Sequence, residues 1–153
     1  MERSTRSGSV RLVGETARAV DHATLEGLPA REISAEIVCS SGDRYRDSWR
    51  GPPIDRLIER VEVPVETTHL TVTATDGFRV CIGAIDALEG VLATHQGGQR
   101  LSVDDGYPRF VVAGLEGPRT VKNVAEIGTL ALAPGEDPEA HEELRLDRGD
   151  RSL

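Results

Sequence analysis

Lysine is almost absent. Lys122 is the only one in a chain of 153 residues that carries 26 Asp and Glu and a net charge of -8. A protein this poor in clustered cations cannot neutralise a phosphate backbone, which excludes a general nucleic-acid binder. The remaining basic residues are arginine, a bias that suits either a salt-rich cytoplasm with an acidic protein surface or a GC-rich genome. Aromatic residues make up only 3%, so the core has to come from Val, Ile, Leu and Ala, a composition that leans towards strands with short helices. Cysteine is limited to Cys39 and Cys81. Without a C-x-x-C pair, and with His22, His69, His95 and His141 scattered, no zinc site is legible. A reduced compartment makes free thiols the expectation. No run approaches the ~20 apolar residues of a membrane span, and Met1 to Ser9 lacks the apolar segment of a secretory signal. The expectation is a cytoplasmic protein with no membrane partner. G-x-G-x-x-G, Walker-type G-K-[ST] and G-x-S-x-G motifs are also missing, so nucleotide-loop and serine-hydrolase readings have no starting point.

What is present fits one domain of ordinary size, able to bury roughly two-thirds of its unfolded surface. Val10 to Gly14 reads as a strand ending in a turn. Thr24 to Pro29 reads as one helical turn, with Asp21 or Thr24 as cap and Pro29 as stop. Glu32 to Cys39 alternates, with Ile33, Ala35 and Ile37 on one face and Cys39 next in that series, so it predicts a half-buried strand. Ser40 to Arg50 is polar and reads as a loop. From Pro53 to Val61 the period changes: Ile54, Leu57, Ile58 and Val61 share a helical face behind a Pro52-Pro53 entry. Leu70 to Ala74 and Phe78 to Gly83 flank Asp76-Gly77, a hairpin signal. Leu88 to His95 is ambiguous between helix and strand, Gly97-Gly98 is a turn, Arg109 to Val112 is a short β-branched run, and Glu126 to Leu132 is a last strand. These predict an α+β fold, rich in short strands, over residues 1–132, with 1–9 flexible. An acidic, largely mobile tail follows over 133–153, within which Pro138 to Leu146 could form an exposed helix.

Two loops carry chemistry. Cys39 stands at a strand end beside Arg44, Arg46 and Arg50, and nearby cations lower a thiol's pKa and favour the thiolate, a soft metal ligand and nucleophile. A small buried hydrophobe is the competing reading of this cysteine, and core packing is the better one for Cys81. Downstream, Gly114 to Asn123 brings glycines together with Arg119 and Lys122. Backbone N–H groups in such a loop can converge on an anion that the two cations neutralise, although a simple turn with Lys122 capping carbonyls would leave the same trace.

Read in order, these segments resemble the molybdopterin-binding domain of the sulfite oxidase family of molybdenum oxidoreductases. The residues that carry the resemblance run from Val13-Gly14 and Thr24 to Pro29, through Ile37-Val38-Cys39-Ser40-Ser41-Gly42 and Trp49 to Ile58. They continue at Asp76-Gly77-Phe78-Arg79, Val91-Leu92-Ala93 and Gly98 to Leu101, and end at Gly106-Tyr107-Pro108-Arg109 and Gly117 to Lys122. The resemblance spans Val10 to Leu132 and implies a compact, strand-rich sulfite oxidase-like fold. It implies that Cys39 is the protein ligand to molybdenum, and that Arg109, Arg119, Thr120 and Lys122 hold the pterin and its phosphate. It further implies two-electron oxygen-atom transfer on a small oxyanion drawn in by Arg44, Arg46 and Arg50, with an electron-transfer protein as partner. Where family members often carry an aromatic residue after the Cys-x-x-Gly step this chain has Asp43, and where tryptophan often follows the loop lysine it has Asn123. An acid beside a thiolate and an anionic cofactor opposes both. The alternative is therefore a non-catalytic module on the same fold that binds a small anion or a protein and has lost the cofactor.

Overall fold

The computed structural model describes residues 8–38, 44–113 and 120–144. The first strands are β1 (Ser9–Val13) and β2 (Ala17–Asp21), which pair antiparallel. Asp21 then starts α1 (His22–Gly27): its carboxylate accepts the Thr24 N–H at 2.8 Å, satisfying one of the donors a helix start leaves open. The helix stops at Leu28, one residue ahead of Pro29, whose ring disfavours helical geometry before it.

β3 (Arg31–Val38) and β4 (Arg44–Gly51) form a long antiparallel hairpin, from Arg31 opposite Gly51 to Val38 opposite Arg44. The expected loop over Ser40 to Arg50 is thus a strand from Arg44 onward. Its alternation is hidden because a polar residue, Asp47, occupies an inward position opposite Ala35. That carboxylate is satisfied by Gln96 Nε2 at 3.0 Å and the Ser48 N–H at 2.8 Å, and a satisfied polar group can take an inward position that hydrophobic counting would refuse.

The Pro52-Pro53 entry leads into α2 (Ile54–Ile58), continued by a 3-10 turn, η1 (Glu59–Val61). All four residues of the expected apolar face, Ile54, Leu57, Ile58 and Val61, are buried. β5 (His69–Ala74) and β6 (Arg79–Gly83) are the anticipated hairpin, and Gly77 takes φ +98° in its turn. After α3 (Ala84–Ala87), the ambiguous stretch resolves into β7 (Val91–Ala93) and the two-residue β8 (His95–Gln96), which turns at Gly97-Gly98 into β9 (Gln99–Arg100). β10 (Arg109–Val111) pairs with β7, and β11 (Val124–Leu130) runs parallel to β1 and antiparallel to β5.

Three sheets result: β2-β1-β11-β5-β6, β3-β4-β8-β9, and the ribbon β10-β7. The ribbon lies between two cores. Leu92 and Phe110 face the larger one, with Val10, Leu12, Ile54, Leu57, Val72 and Ile127. Val91, Ala93 and Val111 face the smaller one, with Ala35, Trp49, Leu101 and Tyr107. This is the period-two alternation of a strand serving both sides. Residues 138–143 lie against the edge strand β6, where Arg79 and Glu143 exchange backbone hydrogen bonds at 2.9 Å and the Glu142 carboxylate accepts the Cys81 N–H at 2.8 Å. A 3-10 turn, Pro138–His141, falls within this segment. Unpaired strand edges invite wrong pairings, and this segment covers one.

Candidate functional site

Arg109 begins β10 on the side of the smaller core. It is 7% exposed, its guanidinium carbon lies 5.0 Å from the centre of the Trp49 ring, and its Nη2 donates to Thr120 Oγ1 at 3.2 Å. Burying a guanidinium is unfavourable without compensation. The aromatic face and the hydroxyl supply part of it, and a cation on a desolvated ring gains about 2 kcal/mol.

The segment that brings Thr120 there is held by a single bridge. Phe110 and Val121 exchange backbone hydrogen bonds at 2.8 and 3.2 Å as an isolated antiparallel bridge, with Val121 buried in the larger core beside Phe110. Local alternation then turns Arg109, next to Phe110, and Thr120 and Lys122, either side of Val121, away from that core. Asn123, at φ +54°, closes the arrangement. Its side chain donates to the carbonyls of Val103 at 2.9 Å and Tyr107 at 3.1 Å, and its N–H donates to Gly106 at 2.9 Å. Gly106 sits at φ +105°, and a Cβ there would fall 2.8 Å from Lys122 Cγ. The glycine therefore gives the exposed lysine side chain its path across the loop. Of the residues proposed to hold an anion, the structure joins Arg109 to Thr120 by a hydrogen bond and sets the Lys122 side chain against Gly106.

Arg119 and Cys39 lie outside the described residues, so their meeting with Lys122 is not on view. Arg44 stands at the end of the β3–β4 hairpin, opposite Val38. Arg46 and Arg50 alternate with Trp49 along β4 and so occupy the opposite sheet face from it. Both are exposed, and Arg46 donates to Ser34 Oγ at 3.4 Å. The hairpin therefore separates Arg46 and Arg50 from the face that carries Trp49, against which Arg109 stacks.

Two features went unread in the sequence. Trp49 is fully buried and its Nε1 has no hydrogen-bond partner among the described residues. Beside it, Tyr107 donates its hydroxyl to Glu26 Oε2, which also accepts Arg100 Nε at 2.9 Å. Arg100 covers the Tyr107 ring at 4.7 Å, and His22 meets that ring edge-on at 5.1 Å. The Arg100 donors hold Glu26 below the usual carboxylate range, with Tyr107 adding to the effect. Burial, then the neighbouring Glu26 carboxylate, pushes the Tyr107 hydroxyl up, and burial pulls His22 down. These residues are 74 and 81 positions apart in the chain, so no spacing rule could have linked them.

A buried guanidinium bonded to a hydroxyl, with a lysine two residues further along the chain, is a set of donors of the kind an anion accepts from. The chain belongs to the oxidoreductase molybdopterin binding domain family, whose sequence model matches residues 8–133. Its fold, a compact and strand-rich α+β domain of the sulfite oxidase-like type, is shared with the sulfane dehydrogenase SoxCD from Paracoccus pantotrophus. The two crossed at a TM-score of 0.77 with 21% sequence identity, over 91% of this chain and 42% of that one. The chain thus spans less than half the length of that protein. No curated protein matches it. The described residues suit the anionic end of a molybdopterin: a buried guanidinium stacked on an indole, a hydroxyl bonded to it, and an ammonium two residues further along the chain. Among the described residues no group of three or more His, Cys, Asp and Glu is arranged to hold a metal ion; a single-thiolate ligand would be Cys39. No helix among them is long and apolar enough to cross a membrane.

Proposed function

We propose that this chain is a molybdopterin-dependent oxidoreductase domain acting on a small oxyanion, with electrons passed to a separate protein and cytoplasmic operation. When bound, the cofactor supplies two-electron oxygen-atom transfer. The protein's part is placement and charge. Lys122 and Arg119 attract the phosphate from solvent, Thr120 and backbone N–H groups of segment 114–119 fix its orientation, and Arg109 supplies a positive charge that water screens little. Cys39 donates the sulfur ligand, and Arg44, at the end of the β3–β4 hairpin, steers the substrate, whereas Arg50 lies on the sheet face turned away from Trp49 and takes no part. The observation that carries this reading is the buried Arg109, held between Trp49 and Thr120 in a chain that matches the family over 8–133.

Elemental analysis tests it directly. Protein made in a host that synthesises the cofactor should carry about one molybdenum per chain, the stoichiometry of a one-thiolate site, and Cys39→Ser should lose it. Metal absent from both proteins removes the enzyme reading. Asp43, an acid near Cys39, favours the second reading, a module on this fold that retains anion or protein binding without the cofactor. Pyrophosphate binding that needs Lys122, in protein free of molybdenum, would establish it.

A further inference from the structure

A cavity of about 550 Å³ opens where the α1–β3 connection meets the Pro52-Pro53 entry to α2. That volume falls in the usual range for small-molecule sites, roughly 300–1,000 Å³. Its walls are Pro29, Pro52 and Pro53, and its rim carries Arg31, Arg56 and Arg60 against the carboxylate of Glu59. None of Arg109, Thr120 and Lys122 lines it.

In a chain of net charge -8, three guanidinium groups around one hollow run against the general balance. Nor are they tied down by tight pairing. Arg31 reaches Asp55 only at 4.0 Å and Arg56 reaches Glu59 at 3.8 Å, exposed pairs of the kind that contribute little. Arg60 has no ion pair among the described residues. The proline wall, by contrast, is rigid. Pro52 and Pro53 are buried, the Pro52 carbonyl accepts the Leu92 N–H at 2.9 Å, and the Ile54 N–H donates to Gly90 at 3.0 Å. Fixed proline φ angles and backbone ties to β7 leave little to order when a ligand arrives, which is where preorganised sites gain affinity.

We infer that this cavity binds a small carboxylate with an apolar body, such as an aromatic or branched short-chain acid. The apolar part lies on the proline wall and the carboxylate meets Arg60, with Arg31 and Arg56 as flanking donors, a planar fork matched to a carboxylate.

The test uses the full chain and benzoate as probe, followed by the arginine Nε–H resonances in heteronuclear NMR. Saturable shifts should appear at Arg31, Arg56 and Arg60. Benzyl alcohol keeps the ring without the charge, and sulfate keeps the charge without the ring; each should bind at least about fivefold more weakly, as loss of one part of a two-part site implies. Arg60→Gln should raise the benzoate Kd by about tenfold, the effect of one charge-assisted hydrogen bond, with Arg56→Gln as a second variant and Arg11→Gln on β1 as an unaffected control. The inference is overturned by equal binding of sulfate or benzyl alcohol, by shifts that grow without saturation across all arginines, or by unchanged affinity in both cavity variants. Molybdenum content is indifferent to every one of these outcomes, so this site and the proposed cofactor site fail separately.

Discussion

Gly51 sets how closely β4 approaches β7, and with it the depth of the Trp49 ring beneath Arg109. A Cβ at Gly51 would fall 2.0 Å from the Leu92 carbonyl oxygen and 2.8 Å from Ala93 Cα. Both are backbone atoms, so no side-chain rotation relieves the clash and the strands must part. Overpacking costs about 1–3 kcal/mol, and an obstacle made of backbone belongs at the top of that range. For a domain of this size each kcal/mol moves Tm by about 2–4 °C, so Gly51→Ala should lower Tm by roughly 6–12 °C. Gly27 is the internal comparison. It ends α1, and a Cβ there meets nothing within 4 Å. Gly27→Ala should therefore gain about 0.5–1 kcal/mol from helix propensity and reduced unfolded-state entropy. Calorimetry gives both values. The single tryptophan of the chain adds a local readout, because Trp49 emission should move to longer wavelength in Gly51→Ala and stay put in Gly27→Ala. A Gly51→Ala protein that melts within about 2 °C of the parent, with unshifted emission, would refute the account of how this face is built.

The Glu26 cluster makes stability depend on pH at both ends. Arg100 donors depress the folded-state pKa of Glu26, so its contribution is present above the ordinary glutamate range and lost as pH falls through the folded value. The Tm gap between parent and Glu26→Gln should shrink on acidification below about pH 4, and a gap constant from neutral to acid pH would dismiss the linkage. Tyr107 is shifted upward, so its contribution is present below about pH 10 and lost as pH rises beyond it; Tyr107→Phe should flatten the alkaline limb of a Tm profile. Lys122→Ala should leave Tm within about 2 °C, as expected of an exposed side chain, while molybdenum per chain falls. Retention of full metal content in that variant would remove Lys122 from the proposed cofactor site.

Local pattern was sufficient for elements whose inward face is apolar throughout. The face Ile54, Leu57, Ile58 and Val61, the Asp76-Gly77 hairpin and the Asp21 cap depend on neighbours in the chain, and the sequence states them openly. β4 was illegible because its inward Asp47 draws its partner, Gln96, from 49 residues away. The same holds for the segment 133–144: its acidic composition suggests solvent, but Glu142 and Glu143 find their backbone partners on β6.

The candidate site divides along the same line. By itself the sequence determined that a cation-bearing glycine segment and a cysteine-bearing segment exist, that the family order of motifs runs from Val10 to Leu132, and that strands would dominate. Only the tertiary structure decided that Arg109 lies buried on Trp49 with Thr120 in reach, that Arg46 and Arg50 turn to the other face of their sheet, and that Glu26, Arg100 and Tyr107 share one carboxylate oxygen. The physical reason is that propensity and period act over a few residues, whereas burial and long-range register choose among side chains that the chain itself holds far apart.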